Sequence, residues 1–236
     1  MAGFFITGTD TGAGKTWVTA ALMRFLQAEG WSVVGMKPVA CGCFRQDGGW
    51  RNEDALLLQE LATLRVDYAK LNIYAFDPPV SPHLAARLAG RIVRLDEIVR
   101  QCRELERLAD GVLVEGVGGW EAPLNDGERV SHLAKALKLP VILVVGLRLG
   151  CLNHALLSHD AIVRSGVPYA GWVANGVDAD FSCLEENIET LKSSLSIPCL
   201  GVVPHDDQRG MSSQKCFIKE EFFLEGREEI LRRLSV

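Results

Sequence analysis

The residues with the most chemical content lie near the start of the chain, in Gly8-Thr9-Asp10-Thr11-Gly12-Ala13-Gly14-Lys15-Thr16. Glycines, a lysine and a hydroxyl in this order cradle phosphate when the loop joins a strand to a helix. The free amides and dipole at a helix start favour an anion. The spacing departs from the strict pattern: the glycine expected at position 9 is Thr9, and Gly8 leaves five residues before Gly14. Residues 12–16 offer the amides, Lys15 a positive charge and Thr16 an oxygen for magnesium. That ion is hard and octahedral, so it needs further oxygen donors. Glu115 ends the apolar run Val112-Leu113-Val114 and precedes Gly116-Val117-Gly118-Gly119, where a carboxylate is costly to bury unless paired. Asp54 falls in the first turn of a helix, where complementing the helix dipole is an equally good reading. Lys37 follows a strand, where an ammonium could stabilise charge on a transferring phosphoryl group. The plain alternative is a surface lysine before Pro38.

These residues need a frame that brings them together. Short β-rich apolar runs alternate with longer segments of helical period, the signature of βαβ units around a parallel sheet. Strands are expected at Phe4–Thr7, Ser32–Met36, Gly111–Glu115, Pro140–Val145, Tyr169–Ala174 and Cys199–Val203. Val18, Ala21, Leu22, Phe25 and Leu26 repeat with helical spacing, and Gly30 closes that helix. Further helices are expected from near Asn52, over Leu95–Ala109, Cys151–Arg164 and Leu184–Leu195, and at Arg227–Leu234. Cys41 to Trp50 reads as a glycine-rich loop, and the polar stretch Asp206–Lys219 gives no readable element. Ligands of open parallel sheets bind beyond the carboxyl ends of the strands. Gly8–Thr16, Lys37, Glu115, Asn175 and Pro204 all fall on that edge. The expectation is an α/β fold of the P-loop NTPase kind, a mostly parallel sheet flanked by helices, with residues 1–236 forming a single domain.

Composition narrows the function classes. With 25 basic against 30 acidic residues the net charge is −5, which argues against nucleic acid as a partner. The longest apolar run, Leu139 to Leu147, is too short to span a bilayer, and the amino terminus lacks the basic region and cleavage site of a secretion signal. Seven scattered cysteines without a C-x-x-C pair suit a reducing, cytoplasmic location. The five histidines show no metal-ligand spacing. Trp31, Trp50, Trp120 and Trp172 read as packing anchors.

Taken together, these motifs resemble the dethiobiotin synthetases, ATP-dependent ring-closing ligases of biotin biosynthesis. The likeness is carried by the one-residue-longer phosphate loop, Lys37-Pro38-Val39-Ala40, Arg51-Asn52-x-Asp54-Ala55 and Val114-Glu115-Gly116-x-Gly118-Gly119-Trp120. It continues through Leu149-Gly150-Cys151-Leu152-Asn153-His154-Ala155 and Ala170-Gly171-Trp172-Val173-Ala174-Asn175, spanning about residues 3–206. The resemblance implies a homodimer that joins CO2 to 7,8-diaminopelargonate at the expense of ATP. Thr16, Asp54 and Glu115 would hold Mg2+, and Gly12, Ala13, Gly14, Lys15, Thr16 and Trp17 would hold the phosphates. Lys37 would be the catalytic lysine, assisted by Lys15, and Thr11 would face the diamine. Gly116, Val117 and Gly118 would line the nucleotide. Asn175, Gly176, Pro204, His205 and Asp206 would reach the base. Cys41 would contact the diamine. Gly150, Cys151, Leu152 and Asn153 would come from the partner subunit to bind the substrate carboxylate, which suits the free amides of a helix start. Two positions depart from the family pattern: Cys41 replaces its usual serine with a weaker hydrogen-bonding thiol, and Gly12 replaces a frequent acidic residue.

Two other classes share parts of this pattern. A switch ATPase of the partitioning or division-site type would carry a further lysine early in the loop, where this chain has Thr9-Asp10-Thr11. Its membrane tail would be more amphipathic than Arg227–Leu234, where acids and bases mix. A GTP-binding protein is the third reading, on Asn175-Gly176-Val177-Asp178, which lacks the lysine of a guanine-reading motif.

Overall fold

The computed structural model describes residues 2–205 and 220–234. In chain order the elements begin with β1 (Gly3–Gly8), α1 (Lys15–Ala28), β2 (Val33–Met36), β3 (Val39–Cys41), β4 (Phe44–Gln46) and β5 (Gly49–Arg51). Then come α2 (Glu53–Leu61), α3 (Tyr68–Leu71), β6 (Tyr74–Phe76), α4 (Pro82–Leu88), α5 (Leu95–Leu105), β7 (Gly111–Glu115) and α6 (Val130–Leu137). The remainder is β8 (Val141–Leu147), α7 (Cys151–Ser165), β9 (Tyr169–Gly176), α8 (Leu184–Ser194), β10 (Cys199–Val203), a 3-10 turn (Glu220–Phe223) and α9 (Arg227–Leu234).

Six strands form one parallel sheet in the order β10-β9-β8-β1-β7-β2. The chain moves from β1 to β2 on one side, returns through β7, and then crosses β1 to β8 on the other. The reversal of strand order therefore falls at β1, and the crevice at its carboxyl end is where such sheets bind ligands. Alternation along the strands sorts the core onto two faces. Phe4, Ile6, Leu113, Ile142 and Val144 pack with α1, while Phe5, Val112, Val114, Leu143 and Val145 pack with α5, α6 and α7. Strands covered on both sides can be apolar throughout, which is why the six read as continuous hydrophobic runs.

All six expected main strands are present, as are the expected helices, with end shifts of a few residues. The expected Leu95–Ala109 helix stops at Leu105. The expected loop over Cys41–Trp50 is instead structured. Cys41 ends β3, which pairs with β6, and β4 and β5 form an antiparallel hairpin. Its turn is Asp47-Gly48, both at positive φ (51° and 75°), the conformation a two-residue hairpin loop demands. Arg45 stacks on Trp50 at 4.2 Å to clasp the hairpin. No helix among the described residues is long and apolar enough to cross a membrane.

Candidate active site

Gly8 ends β1, and Gly14 adopts the left-handed conformation (φ 77°) that turns the chain into α1. Two features seat the loop on the sheet. At Gly146 of β8 a Cβ would stand 2.9 Å from the Ala13 Cα, so only glycine admits the loop. Asn175, fully buried near the end of β9, donates through Nδ2 to the Ala13 carbonyl at 2.7 Å. Beyond the loop opens a cavity of about 1190 Å³. Thr11, Gly12, Gly14, Lys15, Thr16, Lys37, Cys41, Asp54, Glu115, Val117 and Gly118 all line it, as expected site residues gathered from four strand ends and two helix starts.

Charge is concentrated at the cavity floor. Lys37, immediately after β2, is 5% exposed, and Glu115 at the end of β7 is 1% exposed. The Lys37 Nζ donates to Glu115 Oε1 and, at 2.9 Å, to Asp54 Oδ2. The Thr16 hydroxyl donates to the same Glu115 oxygen at 2.8 Å. Burial draws the Lys37 pKa down, but the two carboxylates together outweigh it and the net shift is upward. Burial pushes the Glu115 carboxyl up, with Lys37 opposing. For Asp54 burial is outweighed by Lys37 and the Thr16 hydroxyl, and its pKa falls. For Lys15 the same two carboxylates also favour the charged form, but they are outweighed. Burial, reinforced by the charge on Lys37, lowers it to about 8, and its Nζ donates 2.7 Å to the Asp10 carbonyl.

Structure around Lys37 and Asp54 explains their placement. Asn52 caps α2 by accepting the Ala55 amide, which puts Asp54 in the first turn. The Asn52 amide donates to the Tyr68 hydroxyl at 2.8 Å, that hydroxyl donates to Asn72, and Asn72 Nδ2 donates to the Lys37 carbonyl at 2.7 Å. Arg51 lies over the Tyr68 ring at 4.5 Å. A polar chain thus links the α2 cap to the backbone of Lys37.

The oxygen set suits a divalent cation. Glu115 Oε2 is buried without a hydrogen-bond partner, and it stands with the Thr16 hydroxyl and Asp54 on the cavity floor. Two carboxylates and a hydroxyl fit Mg2+, which keeps water and phosphate oxygens among its ligands and does without a full protein cage. Among the described residues no group of three or more His, Cys, Asp or Glu has metal-holding geometry.

Other expected residues lie elsewhere. Ala13 and Trp17 are buried and do not line the cavity, and Gly116 is tied by its amide to the Ile6 carbonyl at 2.9 Å. Asn175, Gly176, Pro204 and His205 do not line the main cavity; Asn175 and Val177 lie against Gly14, and the His205 amide and Pro204 lie against Gly176. Asn175 Oδ1 is buried without a partner. Asp206 lies outside the described residues. Gly150, Cys151, Leu152 and Asn153 stand at the start of α7, and none of them lines the cavity of their own chain. Cys41 does line it; burial, with Cys43 beside it, raises its pKa to about 11, so it is a neutral thiol. Two groups went unforeseen: the apolar wall Pro79-Val80-Ser81-Pro82 with Leu84, Leu157 and Ala161, and the pair of Asp10 with Arg148. Pro78, Pro79 and Pro82 are the sequence signal that marks the first as a loop. Nothing local marks the second.

A family model described as an AAA domain matches residues 2–211. The chain is 52% identical over 201 residues to an ATP-dependent dethiobiotin synthetase from Cellvibrio japonicus, covering 85% of this chain and 88% of the relative. A protein of the same name from Pseudomonas aeruginosa is 51% identical, covering 86% and 90%. The chain belongs to the dethiobiotin synthetase family. It is accordingly an ATP-dependent ligase of biotin biosynthesis. Among solved structures, the septum site-determining protein MinD from Pyrococcus horikoshii, in complex with Mg-ADP, aligns with 99% of this chain and 94% of its own at TM-score 0.58 and 15% identity. A ParA family ATPase from Chlorobium tepidum aligns with 100% and 99% at TM-score 0.56 and 11% identity. These likenesses show the P-loop NTPase fold alone.

Proposed function

We propose that this protein carboxylates 7,8-diaminopelargonate with CO2 and closes the ureido ring to give dethiobiotin, consuming ATP. The observation that carries the reading is the junction of Lys37, Asp54, Glu115 and Thr16 on the floor of a cavity shared with Lys15, Thr11 and Cys41. One amine takes up CO2 and loses a proton to form a carbamate. The γ-phosphoryl group passes to a carbamate oxygen, ADP leaves, and a carbamic–phosphoric anhydride remains. The second amine attacks its carbonyl carbon, the bond to the phosphate oxygen breaks, and phosphate departs with loss of a proton from nitrogen. The protein's work is positioning and charge neutralisation.

Lys15 and the amides of residues 12–16 hold the phosphates, and Lys37 stabilises charge on the transferring group. Thr16, Asp54 and Glu115 hold Mg2+, which when bound neutralises phosphate charge. Thr11 and the Cys41 thiol face the diamine. Asn175, Gly176, Pro204, His205 and Asp206 serve the base, with Asn175 acting through the loop it anchors. Gly150–Asn153 bind the substrate carboxylate of a second copy, and the whole chain acts as one domain in a cytoplasmic homodimer. The deciding experiment measures ADP release with CO2 and the diamine added separately and together. Release that needs both supports the ligase; release indifferent to the diamine refutes it and matches a switch ATPase.

A further inference from the structure

The loop that must receive a polyphosphate carries a negative charge of its own. Asp10 sits inside it, with Oδ1 3.5 Å from the Gly12 amide. Left alone, that carboxylate would repel the nucleotide at a range of a few ångströms, where charges near a protein surface interact strongly. The structure sets Arg148 against it. This residue directly follows β8 and lies 138 positions away in sequence, and its Nη2 pairs with Asp10 Oδ2. Its Nη1 overlies the loop: a Cβ on Gly12 would stand 3.3 Å from it. A larger residue at position 12 would crowd the guanidinium. The two nearby lysines are otherwise engaged, Lys37 with Asp54 and Glu115 and Lys15 with a backbone carbonyl.

We propose that Arg148 is a positioning residue of the nucleotide site, acting through Asp10 to cancel the negative charge built into the phosphate loop. It rests on the ATP-binding part of the function proposed above and is independent of the diamine chemistry. Asp10 in turn holds Arg148 over Gly12, so the pair sets how much charge the loop presents to incoming phosphates.

Titration calorimetry of the full chain with Mg-ATP and Mg-ADP tests this, with thermal unfolding run beside it. Arg148→Ala should weaken ATP binding by about tenfold and ADP binding by less, because the unmasked carboxylate acts most on the more highly charged ligand. Arg148→Lys should keep most of the affinity. Arg148→Gln, which retains bulk and loses charge, carries the same expectation as alanine should alanine lower the unfolding midpoint. Adding Asp10→Asn to Arg148→Ala should restore ATP binding to within about threefold of the parent, since the repulsive charge is then gone. Unchanged ATP affinity in the alanine and glutamine variants would overturn the proposal, as would a double variant no tighter than Arg148→Ala alone. Binding is read without the diamine. Should the Arg148 effect hold in a protein that shows no diamine-dependent turnover, the ligase reading fails and this one stands.

Discussion

At the scale of single residues, two lysines lining one cavity have their pKa values shifted in opposite directions. Lys37 is locked as a cation by Asp54 and Glu115. Replacing it with glutamine removes the charge while keeping much of the volume, and turnover should fall by about 10²–10³. ATP binding by calorimetry should change far less, and near-parental turnover would remove Lys37 from the chemistry. Lys15, lowered to about 8 chiefly by burial, loses its proton as pH rises through that value. ATP affinity should therefore decline from pH 7 to 9, with proton uptake on binding at the upper end. The folding sign is the reverse: between about 8 and the ordinary lysine value of 10.5 the unfolded chain binds more protons, so this group makes stability rise with pH. Flat ATP affinity across that range would show that Lys15 stays charged. The lysines, Thr16, Asp54 and Glu115 were legible because each follows a strand or begins a helix. Asp10 and Arg148 were not, since an ion pair across 138 residues leaves no trace in local spacing.

At the scale of elements, the phosphate loop depends on what lies beneath it. Gly146 of β8 is the point of closest approach, and Gly14 turns the chain into α1. In Gly146→Ala the new methyl meets the Ala13 backbone at 2.9 Å, so the loop must lift. We expect a loss of about 1–3 kcal/mol in stability, the usual cost of overpacking, measured by denaturant unfolding. Mg-ATP binding should weaken in the same variant, because the amides of residues 12–16 move with the loop; intact binding would show that the loop adapts without it. The buried strands were readable as long apolar runs, and helices such as α1 by their period. The three-residue strands β3 to β6 were too short to show alternation, and the loop assignment over Cys41–Trp50 passed over the Asp47-Gly48 turn signal. That hairpin runs directly into the Asn52 cap, which sets Asp54 in place.

At the scale of the whole molecule, the position of Gly150–Asn153 decides how the site is completed. They begin α7 yet stand outside the cavity of their own chain, and beside them Leu149 is 93% exposed, with Leu157 at 60% on the same helix. If these residues bind the substrate carboxylate, they serve the cavity of another copy, and each site is shared between two chains. A closed two-fold pair gives each chain the same double role. This arrangement has an arithmetic signature. Lys37→Gln disables the cavity of its own chain, whereas Asn153→Ala impairs only the cavity of its partner. A mixed dimer of the two variants places both lesions in one site and leaves the other intact. Equal amounts of the variants, unfolded together and refolded, form mixed dimers half the time, so about a quarter of parental turnover should return. Sites completed within one chain would give no recovery above the sum of the separate variants. Sedimentation should show a dimer in the same samples, and a parental protein that is monomeric at full turnover would exclude the shared site outright.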